Sequence, residues 1–219
     1  MKLSPNTRAL LTHFNTISTN FLFKPGSEVD TVSVSKEILV KATIPETIPC
    51  EFGIYNLGEF LAVMSLFDDP DLEFTPNKVT MTCSSGRGKA TYAPSSRSIL
   101  VVPEYKKPLP TQEDFKFELT ADALKQIIKA GSVLDAPDLT ITASASEGVT
   151  LKVGCNDGKV PNDFELKIKD TSDVSGSYRL RLADMKLMPG TYNVTVLAGI
   201  MVRFESTDGR STTYIALQR

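Results

Sequence analysis

Histidine is almost missing from this chain of 219 residues; His13 is the single copy. A Ser-His-Asp or Cys-His site needs its histidine beside a nucleophile and an orienting acid. His13 stands instead on the flank of an amphipathic N-terminal segment. Cysteine is scarce too: Cys50, Cys83 and Cys155 are odd in number, far apart and without a CxxC pair. Such spacing offers no zinc site, and the three read as small, reduced core residues of a cytosolic protein. Long apolar runs are missing. Val194 to Val202 is among the longest, far below the ~20 residues of a membrane span. The N-terminus has one lysine and then a capped helix rather than an apolar h-region, so no signal peptide is expected. Also absent is an excess of positive charge: 24 basic against 26 acidic residues give a net charge of −2. A protein that grips nucleic acid over its whole surface is basic overall. Any such role here must rest on local segregation of charge, in a chain expected to be soluble and intracellular.

The short motifs carry no chemistry. SSGRGKAT, Ser84 to Thr91, holds a Gly–Lys pair, but a phosphate loop needs GxxxxGK[ST] between a strand and a helix. The spacing differs and a strand follows, which predicts a hairpin turn. Asp68, Asp69 and Asp71 lack the further spaced oxygen ligands of a calcium loop and read as a solvated helix end. Asp157 and Asp163, around a glycine and a proline, are read the same way. The expectation is no catalytic residue, no metal and no cofactor.

What the chain does have is a pair of capped amphipathic helices. In LSPNTRALLTHFNTI, Leu3 to Ile17, Ser4 is the cap and Pro5 the first helical residue. Leu10, Phe14 and Ile17 fall on one stripe, and Arg8, Thr12 and Asn15 on the opposite one. The plan returns in LTADALKQIIKAGSV, Leu119 to Val133. There Thr120 is the cap, Leu124, Ile127 and Ile128 form the buried stripe, and Lys125, Gln126 and Lys129 lie opposite. A second helix is predicted over Leu57 to Phe67 and a short fourth near Ala183 to Leu187, carrying Lys186. The basic faces hold few aromatics, which argues against a single-strand stacking platform.

Between the helices lie short strand-like runs with turn signals, the pattern of antiparallel sheet. They include Ile38 to Ile44, stopped by Pro45, and Ile99 to Val102, Phe164 to Ile168 and Tyr178 to Leu182. PEYKKPLPTQED, Pro103 to Asp114, has three prolines and five charges and reads as a stiff linker. The expected organisation is therefore α+β: a domain over 1–102, a linker over 103–114 and a second domain over 115–219. Each half runs helix, strands, helix, strands, a repeat of element order more than of sequence.

Three segments resemble the sliding clamps, or DNA polymerase processivity factors, of T-even-type bacteriophages. They are MKLSPNTRALLTHFNTI at the start, IYNLGEFLAVMSLFDDP at Ile54 to Pro70, and ADMKLMPGTYNVTVLAG at Ala183 to Gly199 with the terminal strand from Thr213. Order and spacing agree along essentially the whole chain. The resemblance implies the DNA clamp fold: two similar domains, each with two short helices on antiparallel sheet, assembling as a closed homotrimeric ring around duplex DNA. It implies a clamp loader and the phage DNA polymerase as partners, no membrane, and the cytoplasm of the infected host cell as the location. The DNA-facing residues it implies are Arg8, Thr12, Asn15, Lys125, Lys129 and Lys186. The second helix, whose solvent side offers Gly58, Glu59 and Val63, departs from a basic lining and is given no DNA contact. The C-terminus stops soon after the last strand, short of the family pattern.

A sliding contact must be weak and independent of sequence, which lysines aimed at phosphates provide. Overall acidity lets the outer surface repel DNA. A partner peptide is expected to insert apolar side chains near the linker, at Val102, Tyr105, Leu109, Pro110 and Leu217. The subunit joint is expected as edge-to-edge pairing of Ile99–Val102 with Phe164–Ile168 of the next copy. The competing reading is a non-enzymatic, two-domain β-rich adaptor or virion structural protein without nucleic-acid binding, in which the lysines serve solubility.

Overall fold

A computed structural model of the chain describes residues 1–105, 108–154, 162–169 and 174–218. Two compact units divide it, Met1–Tyr105 and Lys106–Arg219. The first unit opens on helix α1 (Pro5–Ile17). The Ser4 hydroxyl accepts the Thr7 N–H, and Pro5 fills the first turn where no amide hydrogen is needed. Its expected stripe of Leu10, Phe14 and Ile17 is buried, together with Thr7 and Leu11. Strands β1 (Phe21–Phe23), β2 (Gly26–Val32), β3 (Ile38–Ile48) and β4 (Phe52–Ile54) follow. Helix α2 (Leu57–Met64) and strands β5 (Asp71–Thr75), β6 (Lys78–Thr82) and β7 (Lys89–Tyr92) complete the unit. All pairings are antiparallel: β1 with β4, β2 with β3, and β5–β6–β7 as a three-stranded sheet.

Two sequence expectations fail here for local reasons. Strand β3 runs through Pro45 because the β2–β3 register slips between Gly26 and Glu28, leaving Pro45 in an irregularity where no ladder donor is required. Ile99–Val102 is not a strand. Ser96 caps a 3₁₀ turn over Arg97–Ile99, and Ser95 N–H is held by Gly53 O at 2.8 Å, which draws this segment off an extended course. Gly53 permits that approach, since a Cβ there would lie 2.4 Å from Ser95 O. SSGRGKAT is the β6–β7 hairpin turn: Gly86 has φ +70°, and Cys83 N–H bonds Gly88 O at 3.0 Å. Cys50 and Cys83 are free and half-exposed rather than core residues, because each lies just outside a strand end. Cys155 and Asp157 lie outside the described residues.

Glu46, on β3, ties the sheet to the start of α1. Its carboxylate accepts the Ser4 N–H and the Thr7 hydroxyl, the latter at 2.6 Å. Partial burial pushes its pKa up, but the hydrogen bonds from Thr7 and Ser4 outweigh that and hold it below the usual carboxylate value. The folded state thus binds fewer protons than the unfolded chain, whose glutamates titrate near ~4.3. Its stabilising contribution is present above that value and disappears as pH falls through the lowered folded value. Glu46→Gln is expected to cost about 1 kcal/mol at neutral pH. In urea titrations this deficit should shrink as pH falls through the lowered folded value and vanish once the parent carboxylate is protonated; a deficit that stays constant down the acid limb contradicts the assignment.

The second unit comprises β8 (Glu113–Leu119), α3 (Ala121–Leu134), β9 (Asp138–Ser144), β10 (Gly148–Gly154), β11 (Phe164–Lys169), β12 (Gly176–Arg181), β13 (Tyr192–Leu197), β14 (Met201–Ser206) and β15 (Ser211–Ala216). Strands order as β11–β10–β9–β12 in one antiparallel sheet and run β8–β13–β14–β15 in another. Leu119, Ile127, Leu139, Leu151, Val194 and Phe204 belong to one continuous core beneath α3. The strand alternation dictates this: β9 buries Leu139, Ile141 and Ala143 and leaves the residues between them half-exposed.

The repeat is closer than the sequence implies. In the second unit β8 precedes α3 and pairs with β13, Tyr192 opposite Leu119. In the first unit Met1 precedes α1 and exchanges both backbone bonds with Leu72 of β5, at 2.8 and 2.7 Å. The predicted fourth helix is the exception: Leu182–Asp184 is a single 3₁₀ turn. Asp184 folds its carboxylate back to Arg181 Nε at 2.8 Å, and Pro189 bars helix at the residue before it. So short a segment cannot offset helix nucleation. No helix among the described residues is long and apolar enough to cross a membrane.

Candidate nucleic-acid interface

In the second unit, α3 presents its cations as expected. Thr120 caps the helix by accepting the Ala123 N–H at 3.2 Å, and Asp122 in the first turn suits the positive end of the helix dipole. Ala123, Leu124, Ile127 and Gly131 face the core. Lys125, Gln126 and Lys129 are exposed, the lysines one turn apart. Neither lysine has a carboxylate partner among the described residues. Ile128 departs from the buried stripe: it is 41% exposed beside these lysines. At 100° per residue it sits on the border of the two faces, and Leu124 and Ile127 already fill the contact with the sheets.

In the first unit the picture differs. Arg8 is the sole Lys or Arg of α1, and it lies 3.4 Å from Asp69 Oδ1. The other oxygen of that carboxylate takes Lys2 Nζ at 2.8 Å. Lys2 closing on Asp69 by a hydrogen bond is the main reason that this carboxyl is held below its usual range. Thr12 is exposed, and its hydroxyl donates back to Arg8 O at 2.9 Å. Asn15 leaves the open stripe: it is half-buried against α2, where a Cβ on Gly58 would lie 3.1 Å from its Nδ2. Lys186 is half-buried beyond the 3₁₀ turn, not on a helix, so its placement rests on an irregular backbone.

The expected partner-peptide residues behave individually. Val102, Leu109 and Pro110 are half-buried. Tyr105 is engaged within its own unit, its hydroxyl donating to Asp30 Oδ2 at 2.8 Å and its ring 4.3 Å beneath Lys41 Nζ. Leu217 is fixed by its N–H to Ile200 O at 2.9 Å and lines an open 370 Å³ depression with Tyr178, Arg179 and Gln218. Lys106 and Lys107 of the linker lie outside the described residues. Of the expected joint residues, Ile99 is 57% exposed on its 3₁₀ turn and Val102 is in no strand. Phe164 and Ile168 lie on β11, which among the described residues pairs with β10 alone and forms a sheet edge, but their side chains pack on their own core.

Sequence inspection missed the Lys2–Arg8–Asp69 cluster and the Glu46 tie. The signals present were an acidic run after α2 and a glutamate beside a proline. Neither names a partner some forty to seventy positions away.

No family model matches the chain. Among curated proteins it is 28% identical over 206 residues to the sliding clamp of Enterobacteria phage T4, covering 90% of this chain and 88% of that one. It is 26% identical over 208 residues to the sliding clamp of Vibrio phage KVP40, covering 93% and 94%. Among solved structures, a chain of the PCNA2–PCNA3 complex of Sulfolobus tokodaii superposes with a TM-score of 0.67 at 18% identity, covering 100% of this chain and 99% of that one. The structural match shows the clamp fold, and over about nine-tenths of its length the chain is similar in sequence to the sliding clamps of these phages.

Proposed function

We propose that this protein is the DNA polymerase sliding clamp of its phage: three copies close a ring around duplex DNA and tether the replicative polymerase for processive synthesis. One observation carries the reading. A protein of net charge −2 concentrates Lys125 and Lys129, with no carboxylate partner among the described residues, on the exposed face of a capped helix. That arrangement attracts a polyanion to one surface while the remainder repels it. In this reading that surface faces the bore, with Arg8, Thr12 and Lys186 contributing more weakly. Asn15 is not given a contact, since it packs against α2. Topology rather than affinity retains the ring, so the lysines need supply only sequence-independent attraction.

The chain itself performs no catalysis in this reading; a clamp loader uses ATP to open and close the ring in the cytoplasm of the infected cell. The linker over 103–114 joins clamp domains 1–102 and 115–219. Leu109, Pro110 and Leu217 remain candidates for gripping a partner peptide. The joint uses the free edge of β11; its counterpart edge is not Ile99–Val102 as a preformed strand. Light scattering is expected to give about three times the 23.9 kDa chain mass. Primer extension should lengthen only when this protein, loader and ATP are all present. A monomeric mass without any lengthening would return the adaptor reading.

A further inference from the structure

We propose that Asp69 tempers the grip of the first unit on DNA by competing with phosphate for Arg8 and Lys2. The inference rests on the clamp reading and assigns a role to a residue that the reading itself does not use. Each Asp69 oxygen takes one cation, Lys2 at 2.8 Å and Arg8 at 3.4 Å. These are the cations that lead into and lie on α1. On the equivalent helix of the second unit, Lys125 and Lys129 have no such carboxylate among the described residues. Asp69 is also held in a backbone state that L residues avoid, with φ +50° immediately before Pro70. Left-handed backbone there favours glycine, with asparagine and aspartate the side chains that adopt it most readily.

The physics is one of exchange. All three side chains are partly exposed, between 31% and 45%. Ion pairs at such sites are weak, so a passing phosphate displaces the carboxylate at little cost and the carboxylate displaces the phosphate as readily. Contacts made by Arg8 are then brief, which suits a protein that must move along a polyanion. Lysines without such a competitor hold the attraction on α3.

The test is the salt dependence of binding to a short fluorescent duplex, read by anisotropy. Asp69→Asn removes the charge and keeps the shape. Asp69→Gly does the same while relaxing the backbone. Both variants should melt like the parent or higher. Both should steepen the plot of log affinity against log salt by about 1 to 2 per subunit, as freed cations reach phosphates. Adding Arg8→Ala and Lys2→Ala should remove the gain. Unchanged slopes in both Asp69 variants, or a gain that survives loss of Arg8 and Lys2, overturns the proposal. Lys125→Glu with Lys129→Glu separates the two layers. If that variant also leaves duplex binding unchanged, the clamp reading fails with it; if binding drops there while the Asp69 variants match the parent, only the Asp69 role fails.

Discussion

Lys125→Glu with Lys129→Glu is expected to give a protein that folds and assembles like the parent but no longer supports processive synthesis. Both side chains are exposed, and among the described residues neither is in an ion pair whose loss would cost stability. Glutamate is as good a helix former as lysine, so the change in folding free energy should stay within ~0.5 kcal/mol. The effect on DNA is of another size. Each lysine that meets a phosphate contributes about 0.9 to the salt slope, and reversal adds repulsion to the lost attraction. Run length at moderate salt should fall by roughly tenfold or more, with most of the loss present at low salt also. Circular dichroism and light scattering must show the parent fold and mass in the same sample. Parent-like run length in that folded variant would remove α3 from the DNA face.

Phe23→Ala should produce the largest loss of stability in the first unit. Phe23 is fully buried on the three-residue strand β1, opposite Phe52 of β4. Its ring meets Phe21 at 4.8 Å, Phe74 at 5.4 Å and Phe60 at 6.3 Å, each edge-on. One side chain thus joins β1, β5 and α2. Truncation removes the transfer free energy of the ring and leaves a cavity that β1, held on one partner strand, can close only in part; the cost is about 3–5 kcal/mol. Against a domain stability of ~5–15 kcal/mol this is a large fraction. Amide exchange is the right measurement, because it resolves the two units where one melting curve would not. Protection should fall across α1, α2 and β1–β7 and persist in β9, β10 and α3. A loss below ~1 kcal/mol, or a uniform loss over both units, would contradict this account of the core.

Much of the fold was legible because it depends on period and caps. Ser4–Pro5 and Thr120 mark helix starts by satisfying orphan amides, a chemistry confined to neighbouring residues. Strand alternation in β9 and β15, and the polar stripe with Lys125 and Lys129, likewise follow from side-chain direction along one element. Pattern also misled where competing local bonds decided. Ala183 to Leu187 has helix-forming residues, but Arg181, Asp184 and Pro189 make a 3₁₀ turn of it. Ile99 to Val102 has the composition of a strand, yet Ser95 and Ser96 direct the chain into a cap and a turn.

What the amino-acid order determined by itself is therefore the set of elements, their faces, and the concentration of positive charge on one helix of an acidic protein. Tertiary structure alone decided which charges stay available. Arg8 and Lys125 look equivalent in sequence, both basic residues on polar stripes, but a chain folded back over sixty-one positions sets Asp69 beside Arg8. Likewise Asn15 turns to Gly58, and Glu46 reaches the start of α1. Such partners are fixed by packing of the whole core, an energy summed over many distant contacts, and no local window contains it.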